Sequence, residues 1–301
     1  MSFDSWQAYL EVCRLGSVSA AAAELGYTQS ALSRQMTALE REVGVRLLER
    51  HSRGMVPTAA GEAFRQHARV AVNAAARAVR AAKEARDDAP ATPLAVGATP
   101  STAAGIVPAA LRRLVTPWTL QPALTPQLHA MTTGGELDVA AVTDAPPGLP
   151  DDARLVRELI GIDEMCVIVP PGHPAAGRDI VEIGQLAADT WVEDNDGSAA
   201  LLRQSMARAG HSARVDFAAA DLMGKMALVA GGHAIALVPG VLSASMRRDV
   251  TPVRLADPPR RGIYVIMQHA TPERIPAATT LVGHLRDAMD ALDRGRGQAW
   301  D

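Results

Sequence analysis

Gln29, Ser30, Ser33, Arg34, Thr37 and Arg41 recur at spacings of three and four residues, interleaved with Leu32, Met36 and Leu39. On a helix that spacing gathers the polar side chains on one face and the apolar ones on the other. The residue types suit the major groove of duplex DNA. A glutamine amide can pair with adenine, an arginine can pair with guanine through two hydrogen bonds, and a serine hydroxyl can reach a base edge or a phosphate. An ordinary solvated helix face carries the same residue types, so both readings stand at this point. Arg50 and Arg53 follow in a short apolar-polar stretch, where phosphate or minor-groove contact would be natural.

The elements that must position these side chains are legible from their boundaries. Trp6, Leu10 and Cys13, with Tyr9 beside them, recur at helical spacing, and Gly16 ends that helix. Ser17 or Ser19 can cap a short second helix over 20–25. Gly26-Tyr27 makes a tight turn, and Thr28 caps a third helix running to about Val43, before Gly44. Ala21 and Ala22 are small where the second helix must cross the third. The spacing is that of a helix-turn-helix. Two strands, 46–50 and 55–58, fit around Ser52-Arg53-Gly54 as a wing. From Ala59 to Arg86 the pattern predicts one long helix. Phe64, Ala68, Ala71, Ala75, Ala78, Ala82 and Ala85 recur in 4-3 alternation, a coiled-coil period whose alanines permit close pairing of two helices. Asp87 to Pro93, with two prolines, reads as a linker.

Composition narrows the field further. The 301 residues are 48% hydrophobic and 21% charged, so extensive disorder is excluded. Alanine contributes 57 positions and aromatics only 3%, so the cores must be built from Ala, Val and Leu. The net charge of −3 divides unevenly, +4 over residues 1–86 and −7 over the remainder, as expected for a polyanion-binding head on an acidic body. Cys13 and Cys166 are too isolated for a disulfide framework or a cysteine zinc site. No apolar run reaches the ~18 residues of a membrane span, and the first residues lack the basic region of a secretory signal. A cytoplasmic location is expected.

Beyond the linker, short apolar runs at 94–98, 118–124, 139–143, 166–169, 214–217, 234–238 and 263–268 alternate with helical stretches at 103–114, 126–133, 198–209, 221–230 and 274–293. Alternation of this kind predicts an α/β body with mostly parallel sheets, divided into two lobes around a cleft.

The segment Gly16-Ser17-Val18-Ser19-Ala20-Ala21-Ala22-Ala23-Glu24-Leu25, followed by Thr28-Gln29-Ser30-Ala31-Leu32-Ser33-Arg34-Gln35-Met36, resembles the LysR-type transcriptional regulators. Leu39-Glu40, the run Val43 to Arg50 and Pro57-Thr58-Ala59-Ala60-Gly61 continue the resemblance. Looser matches extend it through the body, at 97–101, 135–139, 169–174 and 229–239. Ser30 departs from the family by standing where proline is usual, and Ala20, Leu48, His233 and Ala234 depart less sharply. The resemblance implies an N-terminal winged helix-turn-helix domain (1–58), a dimerising linker helix (59–87), and an effector body like a periplasmic binding protein. Its first lobe would span 88–161 and 269–301, its second 162–268. DNA contacts implied are Ser19, Thr28, Gln29, Ser30, Ser33, Arg34, Thr37, Arg50 and Arg53. Effector contacts implied are Thr99, Ser101, Thr102, Thr143, Glu193 and His233, with Glu193–Asp196 read as a loop. The implied partners are double-stranded DNA, a small organic effector, further copies of the chain as dimers or tetramers, and RNA polymerase.

No enzyme motif competes: there is no dinucleotide fingerprint, phosphate-binding loop, His-Glu-x-x-His or Gly-x-Ser-x-Gly. No cofactor, metal or catalytic residue is expected. A ligand-responsive DNA-binding regulator is the first reading. The alternative is a binding module or enzyme on the same α/β body, with the front helices serving assembly only. Asp144 and the acidic 193–196 run would oppose a doubly negative ligand, so a monoanionic or neutral polar effector is expected.

Overall fold

Ser2, Ser17 and Thr28 each open a helix by accepting a backbone N–H with the side chain, from Asp4, Ala20 and Ala31 respectively. These begin α1 (Phe3–Leu15), α2 (Val18–Leu25) and α3 (Gln29–Val43). All three end on a glycine in the left-handed region, with Gly26 at φ 73° making the turn between α2 and α3. The computed structural model describes residues 2–52, 54–84, 93–269 and 275–299. They form two units, the first within 1–92 together with 134–136, the second within 93–133 and 137–301.

The first unit closes on an apolar core in which Tyr9, Val12, Ala21 and Leu32 are fully buried and Leu39 nearly so. Burying a leucine side chain stabilises by ~1.5–3 kcal/mol, and Ala21 and Ala22 keep the α2–α3 crossing close. The hairpin β1 (Leu48–His51) and β2 (Gly54–Pro57) forms the wing. The helix α4 (Ala59–Glu84) follows. Phe64 does not stand free on α4 as the first seam residue expected from the 4-3 pattern. Its ring meets Trp6 and Tyr9 edge-on at 5.5 and 5.3 Å, in the core of the head. Ala68 is also buried within the chain, whereas Ala78 and Ala82 are exposed. Ala85 and residues 87–92 of the predicted linker 87–93 lie outside the described residues.

The second unit begins with β3 (Leu94–Ala98), α5 (Pro100–Ala104), α6 (Val107–Leu111), β4 (Trp118–Pro122), α7 (Thr125–Gly134) and β5 (Val139–Thr143). The expected single helix 103–114 is broken into α5 and α6 at Gly105-Ile106. β3 is parallel to both β4 and β5. The next strand, β6 (Leu155–Val169), is 15 residues long, where sequence patterning showed only 166–169. Then come β7 (Ile180–Val181), β8 (Thr190–Glu193), α8 (Asp196–Arg208), β9 (Arg214–Ala218), α9 (Leu222–Ala230), β10 (Ala236–Pro239), β11 (Thr251–Leu255), β12 (Arg260–Gln268) and α10 (Pro276–Ala299).

The expectation of mostly parallel sheets fails at β6. This strand pairs antiparallel with β12 over its first part and with β10 and β11 over its second, and β12 is antiparallel to β5. The sheet is mixed because the chain crosses between lobes on one long strand and returns beside it. Since β12 pairs with β5 and shares a core with α10 through Ile263, Val265 and Leu281, residues 260–268 pack with the first lobe rather than the second. The second lobe packs Val167, Val169, Trp191, Leu202 and Leu237 between β6, β8, α8 and β10.

Candidate functional site

In the first unit, α3 buries Leu32, Met36 and Leu39 and leaves Gln29, Ser30, Ser33, Arg34, Thr37 and Arg41 exposed. Thr28 caps the helix, and its hydroxyl lies 3.2 Å from that of Ser30. The helix start is thus held by two hydroxyls in place of a proline. The Thr37 hydroxyl donates to the Ser33 carbonyl at 3.1 Å, which leaves its oxygen as an acceptor on the open face. Ser19 is exposed at the start of α2, 3.2 Å from the Ser17 hydroxyl. Arg50 is exposed on β1. Arg53, expected on the wing, lies outside the described residues.

Two features fix this face in place that sequence patterning did not reveal. Glu40 turns inward from α3 and its Oε1 accepts the backbone N–H groups of Leu47 and Leu48 at 2.8 and 3.0 Å, pinning the wing to the helix. Gln35 donates to Ser5 Oγ on α1 at 3.3 Å. Arg34, Arg41, Arg46 and Arg50 have no carboxylate partner among the described residues, although Arg14 and Arg65 are paired. A helix with free base-pairing side chains, flanked by uncompensated cations, can hold a duplex by its phosphates and read it by its bases.

In the second unit, a cavity of about 350 Å³ opens between the lobes. It lies at the carboxyl ends of β3, β5 and β8, the crevice where open α/β sheets hold ligands. Thr99 and Ser101 line it from the first lobe, with Thr125 and Thr143 beside them. Thr125 is committed to the Thr143 backbone, donating to its carbonyl at 3.0 Å. Thr102 is fully buried beneath this wall and donates to the Thr99 carbonyl at 3.0 Å, so it supports the wall and is not part of the lining.

Arg261 also lines the cavity and was not foreseen. It is 8% exposed, donates twice to Asp163 Oδ2 at 3.0 and 2.9 Å, and reaches Ser101 Oγ at 2.8 Å. Asp163 in turn accepts the Val241 N–H at 2.8 Å. Arg261 therefore ties the hydroxyl at the start of α5 to the crossing strand β6.

From the second lobe, Asp194 to Ser198 line the cavity, and Asn195 caps α8 by accepting the Ser198 N–H at 2.9 Å. Glu193 was expected in a loop facing the effector. It is the last residue of β8, 6% exposed, and absent from the lining. Its Oε2 accepts from Lys225 at 2.6 Å while Oε1 makes no well-formed hydrogen bond among the described residues, and burial pushes its carboxyl above the usual range against the pull of the Lys225 ammonium. Lys225, fully buried on α9, also donates to Asp194 and Ser198 at 3.0 and 2.9 Å. The acidic run is thus partly neutralised from within. His233 is exposed and absent from the cavity lining, and Asp144 is turned to the Gly262 N–H and the Tyr264 hydroxyl. Where the lobes meet, a Cβ on Gly197 would come 2.7 Å from the Pro146 carbonyl oxygen, so only hydrogen fits there without a shift.

Among the described residues no cluster of His, Cys, Asp and Glu could hold a metal ion, and no helix is long and apolar enough to cross a membrane.

Residues 3–62 match the family model for bacterial regulatory helix-turn-helix proteins of the lysR family, and residues 87–290 match the LysR substrate-binding domain. The small neutral protease regulatory protein of Streptomyces coelicolor is 33% identical over 98% of this chain and 94% of its own length. The transcriptional regulator ShiR of Corynebacterium glutamicum is 31% identical over 73% of this chain and 76% of its own. Among solved structures, CbnR, a LysR family transcriptional regulator, superposes with a TM-score of 0.70 at 23% identity, covering 96% of this chain and 99% of CbnR. CbnR complexed with its target DNA gives 0.69 at the same identity, covering 96% of this chain and all of that one. At that identity the likeness is one of fold.

Proposed function

The chain belongs to the LysR family of bacterial transcriptional regulators, and from that premise we propose how its two units divide the work. It is a DNA-binding regulator, not an enzyme, and it responds to a small-molecule effector. Gln29, Ser33 and Arg34 read bases from α3, with Ser19, Thr28, Ser30 and Thr37 contacting base edges or backbone and Arg50 and Arg53 binding phosphates or the minor groove. Thr99, Ser101 and Thr143 contact the effector in the interlobe cavity, with Thr102 behind them; Glu193 acts through Lys225 and Asp194, and His233 has no part. The observation that carries this reading is the exposed α3 face, whose cations have no partner among the described residues while the core beneath it is closed.

Two copies pair through α4, where Ala78 and Ala82 remain exposed, and set two heads on an interrupted palindrome. Tetramers form through the bodies, the protein works in the cytoplasm, and RNA polymerase is its downstream partner. A ligand shifts the DNA-bound geometry only through unequal affinity for two lobe arrangements.

The test is footprinting of the full chain on the DNA upstream of its own gene and of the adjacent divergent gene. Two protected half-sites related by a dyad are expected for wild type, with protection reduced to background non-specific binding for Arg34→Ala. A single protected tract, or unchanged protection by Arg34→Ala, overturns the assignment.

A further inference from the structure

Resting on the reading of the interlobe cavity as the effector site, we propose that its ligand is dipolar: a small amino-acid-like molecule whose protonated amine meets Asp194 and whose carboxylate or other acceptor meets Ser101. The two walls of the cavity differ: one pairs its cation and presents a hydroxyl donor, the other carries more carboxylates than cations.

On the first wall Arg261 is matched by one carboxylate, Asp163, and donates to Ser101 Oγ at 2.8 Å. Because that oxygen already accepts from a guanidinium, its own proton is left to donate. A hydroxyl polarised by a buried cation is a donor site for an anionic or carbonyl oxygen.

On the second wall the charges do not balance. Lys225 uses its three N–H groups on Glu193, Asp194 and Ser198, so a single ammonium serves two carboxylates. Asp194 is the carboxylate of that trio that lines the cavity, its side chain is 6% exposed, and its Oδ1 alone is engaged by Lys225. Glu193 Oε1 behind it is buried without a well-formed hydrogen bond among the described residues. A buried wall with one carboxylate in excess is completed by a second cation. Asp196, at the first turn of α8 and also lining the cavity, adds to the same sign. A ligand carrying only carboxylates would bring its charge toward this wall without a partner.

The size is consistent with a small molecule, since about 350 Å³ lies at the low end of ligand pockets. Met165, Leu201 and Leu222 supply an apolar strip for a short side chain.

The experiment is thermal-shift screening followed by calorimetric titration of the full chain with three matched series: the standard α-amino acids, the amines formed from them by decarboxylation, and the acids that lack the amino group. At least one amino acid is expected to bind tenfold or more tighter than its matched acid and its matched amine. Asp194→Asn removes the excess carboxylate, and Glu193→Gln leaves Lys225 to neutralise Asp194 alone; each is expected to lose at least tenfold of that preference. If Asp194→Asn fails to fold, judged by melting and DNA retention, Glu193→Gln carries the test. Binding by amine-free acids in preference to amino acids, or no amino acid binding in the screen, overturns the proposal. A ligand that requires Ser101 (lost in Ser101→Ala) but ignores both acidic-wall variants keeps the cavity and overturns the dipolar assignment. A ligand indifferent to all three variants places the effector site elsewhere and overturns the underlying reading as well.

Discussion

In the head, Arg34, Arg41, Arg46 and Arg50 stand exposed with no carboxylate partner among the described residues. In the body, Arg261 is nine-tenths buried and bonded twice to Asp163, and Lys225 is fully buried between two carboxylates. The same cationic chemistry therefore serves opposite ends. A cation that the chain leaves uncompensated stays hydrated and available to an outside polyanion, at almost no cost to folding. A cation compensated inside the fold is desolvated, directional and fixed, and it gives a cavity its shape and sign. Removing the first kind should change DNA binding and spare stability; removing the carboxylate that alone compensates a cation of the second kind should cost stability and leave the DNA-reading face intact.

The largest expected effect tests that contrast directly. Asp163→Ala leaves Arg261 buried without its carboxylate and should lower unfolding stability by about 3–5 kcal/mol in denaturant melts. Arg50→Ala should stay within about 0.5 kcal/mol of wild type in the same measurement. Equal losses from the two variants would erase the distinction between the regions.

Within the head, the contrast sharpens into base reading against backbone holding. Arg34→Ala should cost about 1–3 kcal/mol of discrimination between the operator and a mutated half-site, measured by competition binding. Arg50→Ala should weaken all duplexes alike and reduce the slope of log affinity against log salt by about one. Loss of specificity in Arg50→Ala with Arg34→Ala unaffected would exchange their roles.

The smallest effect lies in the body's acidic wall. Burial holds the Glu193 carboxyl above the ordinary value of 4.5, so the folded chain keeps that proton more tightly than the unfolded chain does. The associated stability is full below about pH 4.5 and declines as pH rises through the raised value. Glu193→Gln should flatten that decline, with melting at neutral pH unchanged or slightly raised. A steeper decline in the variant would reverse the sign assigned to this group.

The two regions also differ in how much of their structure the sequence declares locally. The head is built from local signals. Gly16, Gly26 and Gly44 end three helices at positions that their neighbours announce, and Leu32, Met36 and Leu39 mark the buried side of α3 by spacing alone. What escapes are contacts that leave the local window: Phe64 meeting Trp6 and Tyr9, Glu40 reaching the wing, and Gln35 bonding Ser5.

The body depends on distant pairings. Arg261 finds Asp163 at a separation of 98 residues and Ser101 at 160, and Lys225 meets Glu193 across 32. No spacing pattern carries such information. Most of strand β6 is hidden from the apolar pattern because Arg157, Glu158, Asp163 and Glu164 break its run, and because the exposed positions change phase at the irregularity near Ile160 and Gly161. Thr99, Ser101 and Thr143 line the cavity because strand ends and helix starts converge on a crevice by the general geometry of α/β sheets. Glu193 and His233 were misplaced because that geometry says nothing about which side of a strand or loop faces inward.

At Gly197 the gap between the lobes is gauged by one missing methyl group. A Cβ there would come 2.7 Å from the Pro146 backbone oxygen, so any larger residue acts as a shim in the mouth of the cleft. Closing on the effector would then draw on the effector's own binding energy, and each ~1.4 kcal/mol so consumed raises the half-response concentration tenfold. Residue 197 is in that sense a gain control: altering it would slide the dose–response curve of the regulated genes along the concentration axis while every side chain that reads the operator stays as it is.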